Sequence, residues 1–507
     1  MLAVYRIMMV FFFITGSSLG KQVFAQKVDH EMHRPQLHFS PKAKWINDPN
    51  GMVYHNGIYH LFFQYYPDST IWGPMHWGHA TSTDLILWQE QPIALYPDSL
   101  GYIFSGSAVA DINNTSGFGK DGKVPLVAIF THHDPAGEKA GKNNYQNQSI
   151  AYSLDEGKTW TKYSANPVLK NPGIRDFRDP KVSWHEGSKK WIMTLATLDR
   201  ITFYSSPNLK DWTKESEFGK EVGAHGGVWE CPDLFLLDYK GQKVWVLIVS
   251  INPGGPNGGS ATQYFTGEFD GKTFTPYQTD TRWIDYGTDN YAGITWSNTG
   301  DRKVFLGWMN NWQYANIVPT EKWRGAMTIP RDLGLEKAGE KYFVVSRPVK
   351  ELTSLETNSI TLKNIAATNY DLTKKAGKLR GPSVVKLLSD KIKSFTITLS
   401  NDAGEKVIIG YDQAANNYFI DRTQSGKVSF EKGFAGKHVA PRLIADEKFD
   451  LTLIIDNASV ELFADNGLTV MTEIFFPNKP YNQIHIQSTD KLVIKKLKYI
   501  RLNSILK

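Results

Sequence analysis

Three short runs in the chain set acidic side chains beside a proline: Trp45-Ile46-Asn47-Asp48-Pro49-Asn50-Gly51, Phe177-Arg178-Asp179-Pro180 and Glu230-Cys231-Pro232-Asp233. A β-rich run follows each proline, so the polar groups fall where a strand begins rather than inside a helix. A lone Asp or Glu at such a start is usually a turn residue bonding its own backbone. Three of them at comparable starts of repeated units point instead to one pocket lined by the ends of those units. Two carboxyl groups across a glycosidic bond perform glycoside hydrolysis: one protonates the leaving oxygen, while the other attacks the anomeric carbon or activates water. Crowded carboxylates also push their pKa values apart, which can keep one protonated near neutrality. The interleaved aromatics Trp45, Trp72, Phe104, Trp229, Trp308 and Trp312 suit the apolar face of a sugar; core between units is their other reading. A cation site is the rival account of an acidic funnel, but oxygen ligands alone leave an aromatic rim unexplained.

The elements that must position these groups are short strands. Tyr54 to Phe63 reads as a hairpin around Asn56-Gly57, and 182–196 and 234–250 repeat the idea around Glu186-Gly187 and Lys240-Gly241. A second signature follows, a strand, a polar turn and an aromatic: it ends at Trp88, Trp160 and Trp212, with a degenerate copy ending at Phe274. The copies recur at intervals of about 50 to 70 residues, which suits a four-stranded propeller blade. Taking the Asn47, Gly106, Asp179, Glu230 and Tyr291 regions as blade starts predicts five blades. The alternative for this part is a β-sandwich with long loops. All fifteen tryptophans precede residue 324; beyond Pro330 the chain has none, and apolar and polar residues alternate. The expected fold is therefore all-β: a five-bladed β-propeller over 31–345, a linker with short helical tendency over 346–357, and a β-sandwich over 358–507. The second region carries no acidic-proline start and reads as a buttress for the first, with carbohydrate binding as its second reading.

Composition narrows the function. A chain of 507 residues with a net charge of +6 and no dense basic run offers nothing for nucleic acid or a membrane surface. The N-terminus reads as a signal peptide over 1–25: Arg6 supplies the positive region, Ile7 to Thr15 the apolar run, and Val23-Phe24-Ala25 the small residues at the −3 and −1 positions of a cleavage point after Ala25. No cysteine lies near that point, so no lipid anchor is expected, and the product should be secreted or periplasmic without membrane attachment. Cys231 is the only cysteine, so no intramolecular disulfide forms and stability must come from packing.

These runs together resemble glycoside hydrolase family 32, the retaining β-fructofuranosidases that include invertases, exo-inulinases and levanases. The resemblance covers about residues 36–477 and also rests on Phe62-Phe63-Gln64-Tyr65, Trp77-Gly78-His79-Ala80, Phe104-Ser105-Gly106-Ser107, Trp308-Met309-Asn310-Asn311-Trp312 and, in the second region, Val460-Glu461-Leu462-Phe463-Ala464 and Phe475-Phe476-Pro477. It implies the same propeller and sandwich. It implies Asp48 as the nucleophile of a covalent fructosyl-enzyme, Glu230 as general acid/base, and Asp179 as the acid that holds sugar hydroxyls. Asn47, Gln64, Trp72, Phe104, Ser105, Arg178 and Trp312 would wall the terminal fructose pocket, joined by Asp289 and Tyr291. No cofactor and no metal are implied, and the substrate would be a fructan or sucrose. Trp72-Gly73-Pro74-Met75-His76-Trp77-Gly78-His79 is more similar to exo-inulinases than to plant invertases, which favours an exo-acting enzyme. A fructosyltransferase sharing the same intermediate, an inverting α-arabinan hydrolase and a non-catalytic carbohydrate-binding protein are the alternatives; the retained carboxylates and motifs argue against the last two.

Overall fold

The computed structural model describes residues 31–506, so the expected signal peptide and its cleavage point lie outside the described residues. The architecture is all-β. Residues 44–348 form five small sheets, and nearly all their pairings are antiparallel. The sheets open with the strands Lys44–His55, Tyr102–Ala110, Phe177–His185, Val228–Tyr239 and Tyr291–Thr295. These are the five starts expected from the sequence. The first touches the second, the second the third, the third the fourth, the fourth the fifth, and the fifth the first.

Local chemistry explains the units. The Asn56-Gly57 and Lys240-Gly241 turns both hold two successive left-handed residues (φ 47° and 82°, 52° and 88°), the twist that a two-residue hairpin needs. In the recurring strand-turn-aromatic signature, the indole N–H of Trp88, Trp160 and Trp212 donates to the carbonyl of Leu85, Gly157 and Leu209, each at 3.1 Å. The ring thus closes the turn that precedes the outermost strand.

Each opening strand carries a β-bulge near its beginning, with two residues facing one. The bulged pairs are Asn47-Asp48, Phe104-Ser105, Asp179-Pro180, Cys231-Pro232 and Ala292-Gly293. Pro180 and Pro232 cannot donate to a ladder, which makes a bulge the place a sheet tolerates them. Asp179, Cys231 and Ala292 take left-handed backbone there (φ 64°, 44° and 54°). The acidic-proline runs are therefore bulges that re-aim side chains. The three acids do not share one position, however: Asp48 is the second bulged residue, Asp179 the first, and Glu230 precedes its bulge.

Beyond a short 3-10 helix at Lys350–Leu355, two six-stranded sheets face each other. Their core takes Val385, Leu387, Leu451 and Leu453 from one and Ile397, Leu399, Val407 and Ile409 from the other, the period of two expected of half-buried strands. The edge strand Thr469–Ile474 is not left open. Residues 285–289 lie along it, with Tyr286 N–H donating to Val470 (2.8 Å) and Asp289 N–H to Thr472 (3.1 Å). Among the described residues no helix is long and apolar enough to cross a membrane.

Candidate active site

The bulged ends converge on a pocket of about 250 Å³ lined by Asn47, Asp48, Gln64, Trp72, Phe104, Ser105, Arg178, Asp179, Glu230 and Trp312, with five residues not expected from the sequence. Ten predicted residues, drawn from four of the five sheets and from the loops 67–75 and 309–314, are thus brought together. Trp72 stands at the rim, 39% exposed, with its ring edge-on to Phe104 at 6.1 Å. Trp312 is backed by Trp45 and Trp308. The Trp45 indole donates to Asn47 Oδ1 (2.8 Å), which turns the Asn47 amide toward Asp48 Oδ1 (3.0 Å). Trp45 and Trp308 themselves are fully buried core.

The acids differ in how they are held. Asp48 accepts from Ser105 Oγ at 2.6 Å and from Asn47. Burial pushes its carboxyl above the ordinary range, and the charge of Glu230 adds to this against the Ser105 and Asn47 hydrogen bonds. Asp179 accepts the backbone N–H of Cys231 (3.1 Å) and lies 4.0 Å from Arg178 Nε. Burial raises it to about 7, overcoming Arg178, with Glu230 and Asp48 pushing the same way. Glu230 is the best partnered: Arg178 Nε and Nη2 fork onto Oε1 (3.1 and 2.9 Å), and the Tyr291 hydroxyl donates to Oε2. The Cys231 thiol sits between two acids, 3.5 Å from Asp48 and 3.6 Å from Asp179. Burial drives its pKa far up, so it is a neutral donor rather than a nucleophile.

Two expectations are corrected. Asp289 does not wall the pocket: it is fully buried behind it, bonded to Arg422 Nη1 (2.6 Å) and the Tyr314 hydroxyl (2.5 Å). Burial with a cation at hand, rather than ligand contact, accounts for its position. Tyr291 likewise lies behind the wall, touching Glu230 rather than the open cavity. Asp233, the last acid of its run, also turns away; beyond the bulge it pairs with Lys181 (3.2 Å) and Thr295.

The residues not foreseen are His133, Glu138, Tyr145, Gln146 and Asp176. His133 stacks on Phe104 (4.2 Å, 8°) and meets Glu138 at 3.1 Å; Asp176 holds the far end of Arg178 at 2.6 Å. A signal was present in Asp134-Pro135, a further acid-proline step, where Asp134 caps a five-residue helix carrying Glu138. Among the described residues no group of three or more His, Cys, Asp and Glu side chains could hold a metal ion.

The chain is similar to known proteins over most of its length. A family model described as glycosyl hydrolases family 32 N-terminal domain matches residues 38–348, and one described as glycosyl hydrolases family 32 C terminal matches 350–501. A levanase of Bacillus subtilis is 45% identical over 94% of this chain and 71% of its own length. An extracellular exo-inulinase of Aspergillus niger is 44% identical over 90% of this chain and 92% of its own. The crystal structure of exo-inulinase from Aspergillus awamori superposes with a TM-score of 0.86 at 40% identity, covering 93% of this chain and 99% of that one. With two adjoining family models spanning nearly all of the described residues, the chain belongs to the glycosyl hydrolases of family 32.

Proposed function

We propose that the protein is an exported β-fructofuranosidase that hydrolyses terminal β-D-fructose from fructans such as inulin or levan, and from sucrose, by double displacement with retention of configuration. The observation that carries this reading is the convergence of Asp48, Asp179 and Glu230 at the floor of a pocket walled by Trp72, Phe104 and Trp312. Its volume of about 250 Å³ lies below the ~300 Å³ at which drug-sized sites begin, which favours a single sugar unit. The levanase and exo-inulinase likenesses support the substrate class, and the extracellular relatives support export.

In this reading Asp48, aimed by its bulge and held by Ser105 and Asn47, attacks the anomeric carbon. Glu230 gives its proton to the leaving oxygen, then takes one from the water that releases fructose from Asp48. Arg178 fixes one oxygen of Glu230 and leaves the other to Tyr291, so the carboxyl has one orientation for both steps. Asp179 binds sugar hydroxyls, whose donors favour the ionised carboxylate as charge develops on the ring. Support for a five-bladed propeller over 31–345 comes from the cyclic contacts of the five opening strands, and for a sandwich over 358–507, after a linker at 346–357, from the facing six-stranded sheets.

Early products from inulin and levan, resolved by chromatography, test the reading. Free fructose should dominate the first time points. A ladder of mixed oligosaccharides before any fructose would overturn exo-cleavage, and oligosaccharides longer than the substrate would favour transfer over hydrolysis.

A further inference from the structure

Two segments that bear on the pocket are gripped from behind by the C-terminal sheets. Residues 285–291 end at Tyr291, whose hydroxyl reaches Glu230, and residues 308–314 carry Trp312. Arg422, from the strand Asn417–Gln424, is fully buried where they meet. Its Nη1 binds Asp289 (2.6 Å) and Glu473 (2.9 Å), its Nη2 donates to the Tyr314 hydroxyl (2.9 Å), its Nε donates to Phe434 O (2.7 Å), and its plane lies on the Phe434 ring at 4.0 Å. The Tyr314 hydroxyl passes the contact on to Asp289 (2.5 Å).

A second connection runs alongside. Glu473 accepts from Thr288 N and Oγ1 (both 3.1 Å), and the Thr288 carbonyl accepts from Asn311 Nδ2 (2.8 Å). Asn311 precedes Trp312, whose own N–H donates to Ser260 Oγ (3.1 Å). The contacts are close: a Cβ on Gly287 would meet the Thr472 backbone at 2.2 Å. Tyr314 is two residues from Trp312 and Asp289 two from Tyr291, so Arg422 is tied to both segments through charge-assisted bonds of fixed geometry.

We propose that Arg422 is a positioning residue for the pocket: the C-terminal sheets set the Trp312 wall, and secondarily the Tyr291–Glu230 contact, through the Arg422–Tyr314–Asp289 cluster. This rests on the proposed function, because it assumes that Trp312 receives the terminal sugar. A wall that touches the ring in both ground and transition states acts on KM rather than kcat. The bland account, a buried ion pair that only stabilises the fold, predicts lost stability with unchanged kinetics.

The experiment compares wild type, Tyr314→Phe, Arg422→Lys and Arg422→Met as full chains, measuring fructose release from sucrose and inulin together with thermal melting. Tyr314→Phe removes one hydroxyl and keeps every charge, so it remains informative should Arg422→Met fail to fold. The expected result for Tyr314→Phe is KM raised about 5- to 10-fold with kcat within about 2-fold of wild type. Arg422→Met should be worse in KM, and Arg422→Lys should recover part of the loss. Variants that melt earlier but keep wild-type KM and kcat would overturn the inference while leaving the proposed function standing. A wild-type enzyme that releases no fructose from either substrate would overturn the proposed function and this inference with it.

Discussion

Two clusters of acids among the described residues are treated in opposite ways. In the pocket, Arg178 stands within ion-pair distance of Asp179 and Glu230, while Asp48 is held only by the neutral donors Ser105, Asn47 and Cys231. Where the N-terminal sheets meet the C-terminal ones, Asp285, Asp289, Asp456, Glu461 and Glu473 are met by Arg331, Arg422, His38 and His438. Glu461 is instructive: burial would raise its carboxyl, but Arg331 and His38 outweigh it and hold it at about 2. His38, between Asp456 and Glu461 at 2.7 Å each, is carried to about 9 against the pull of burial. Asp289 is the interface exception, kept above the usual range by burial and by Glu473 despite Arg422. Burial alone therefore does not decide how an acid behaves. The number of cations within hydrogen-bonding reach does, and the pocket is the place where that number is kept low. An under-compensated acid is unstable but reactive; a compensated one is a fastener.

The contrast can be broken most sharply at the reacting groups. Asp48→Ala and Glu230→Ala should each lower fructose release by ~10²-fold or more while circular dichroism and melting stay near wild type. Near-normal turnover in a folded variant would remove that residue from its proposed role. Substitution across the interface should do the reverse. Glu461→Gln leaves Arg331 with a lost partner in a dry site, at a cost of about 3–5 kcal/mol, with turnover preserved below the melting range. The pH profile sharpens this. Glu461, lowered to about 2, contributes its stability above about 4.5 and loses it as pH falls toward 2; His38, raised to about 9, contributes fully below about 6.5 and loses it as pH rises through 9. The wild-type melting temperature should thus fall on both sides of that window, and the Glu461→Gln profile should be flatter. Parallel profiles would sink the assignment.

The smallest expected effect is the most diagnostic. Asp179, raised to about 7, carries its cost above that pH and sheds it as pH falls toward its ordinary value. Asp179→Asn keeps an acceptor for the Cys231 N–H and removes the charge. It should cut activity severely yet raise stability at pH 8, by on the order of 1 kcal/mol, with the gain shrinking at pH 5. A melting temperature that drops at pH 8 would mean that Asp179 is a fastener after all.

Much of this was legible along the chain because the forces involved are local. The Asn56-Gly57 and Lys240-Gly241 turns need left-handed backbone, the Trp88, Trp160 and Trp212 indoles bond three residues back, and Pro180 and Pro232 forbid a regular ladder. Those features, with the acidic-proline runs, marked the strand units and the starts that carry the pocket acids. What the chain could not say was which way each acid faces after its bulge. Asp179 lies inside its bulge and lines the pocket, whereas Asp233 follows the bulge of its own strand, rejoins the ladder and pairs with Lys181.

The sequence by itself determined the strand units, the acidic-proline strand starts and the aromatic stock of the pocket, since each depends on residues within a few positions of one another. The tertiary structure alone decided that Asp289 is an anchor rather than a wall, that His133 and Glu138 join the rim, and that Arg422 stands behind Trp312. Arg422 and Asp289 are 133 positions apart, and nothing local to either names the other. A buried charge has no fixed meaning until the fold supplies its neighbours, because the energy of an ion out of water is set almost wholly by what lies within a few ångströms of it.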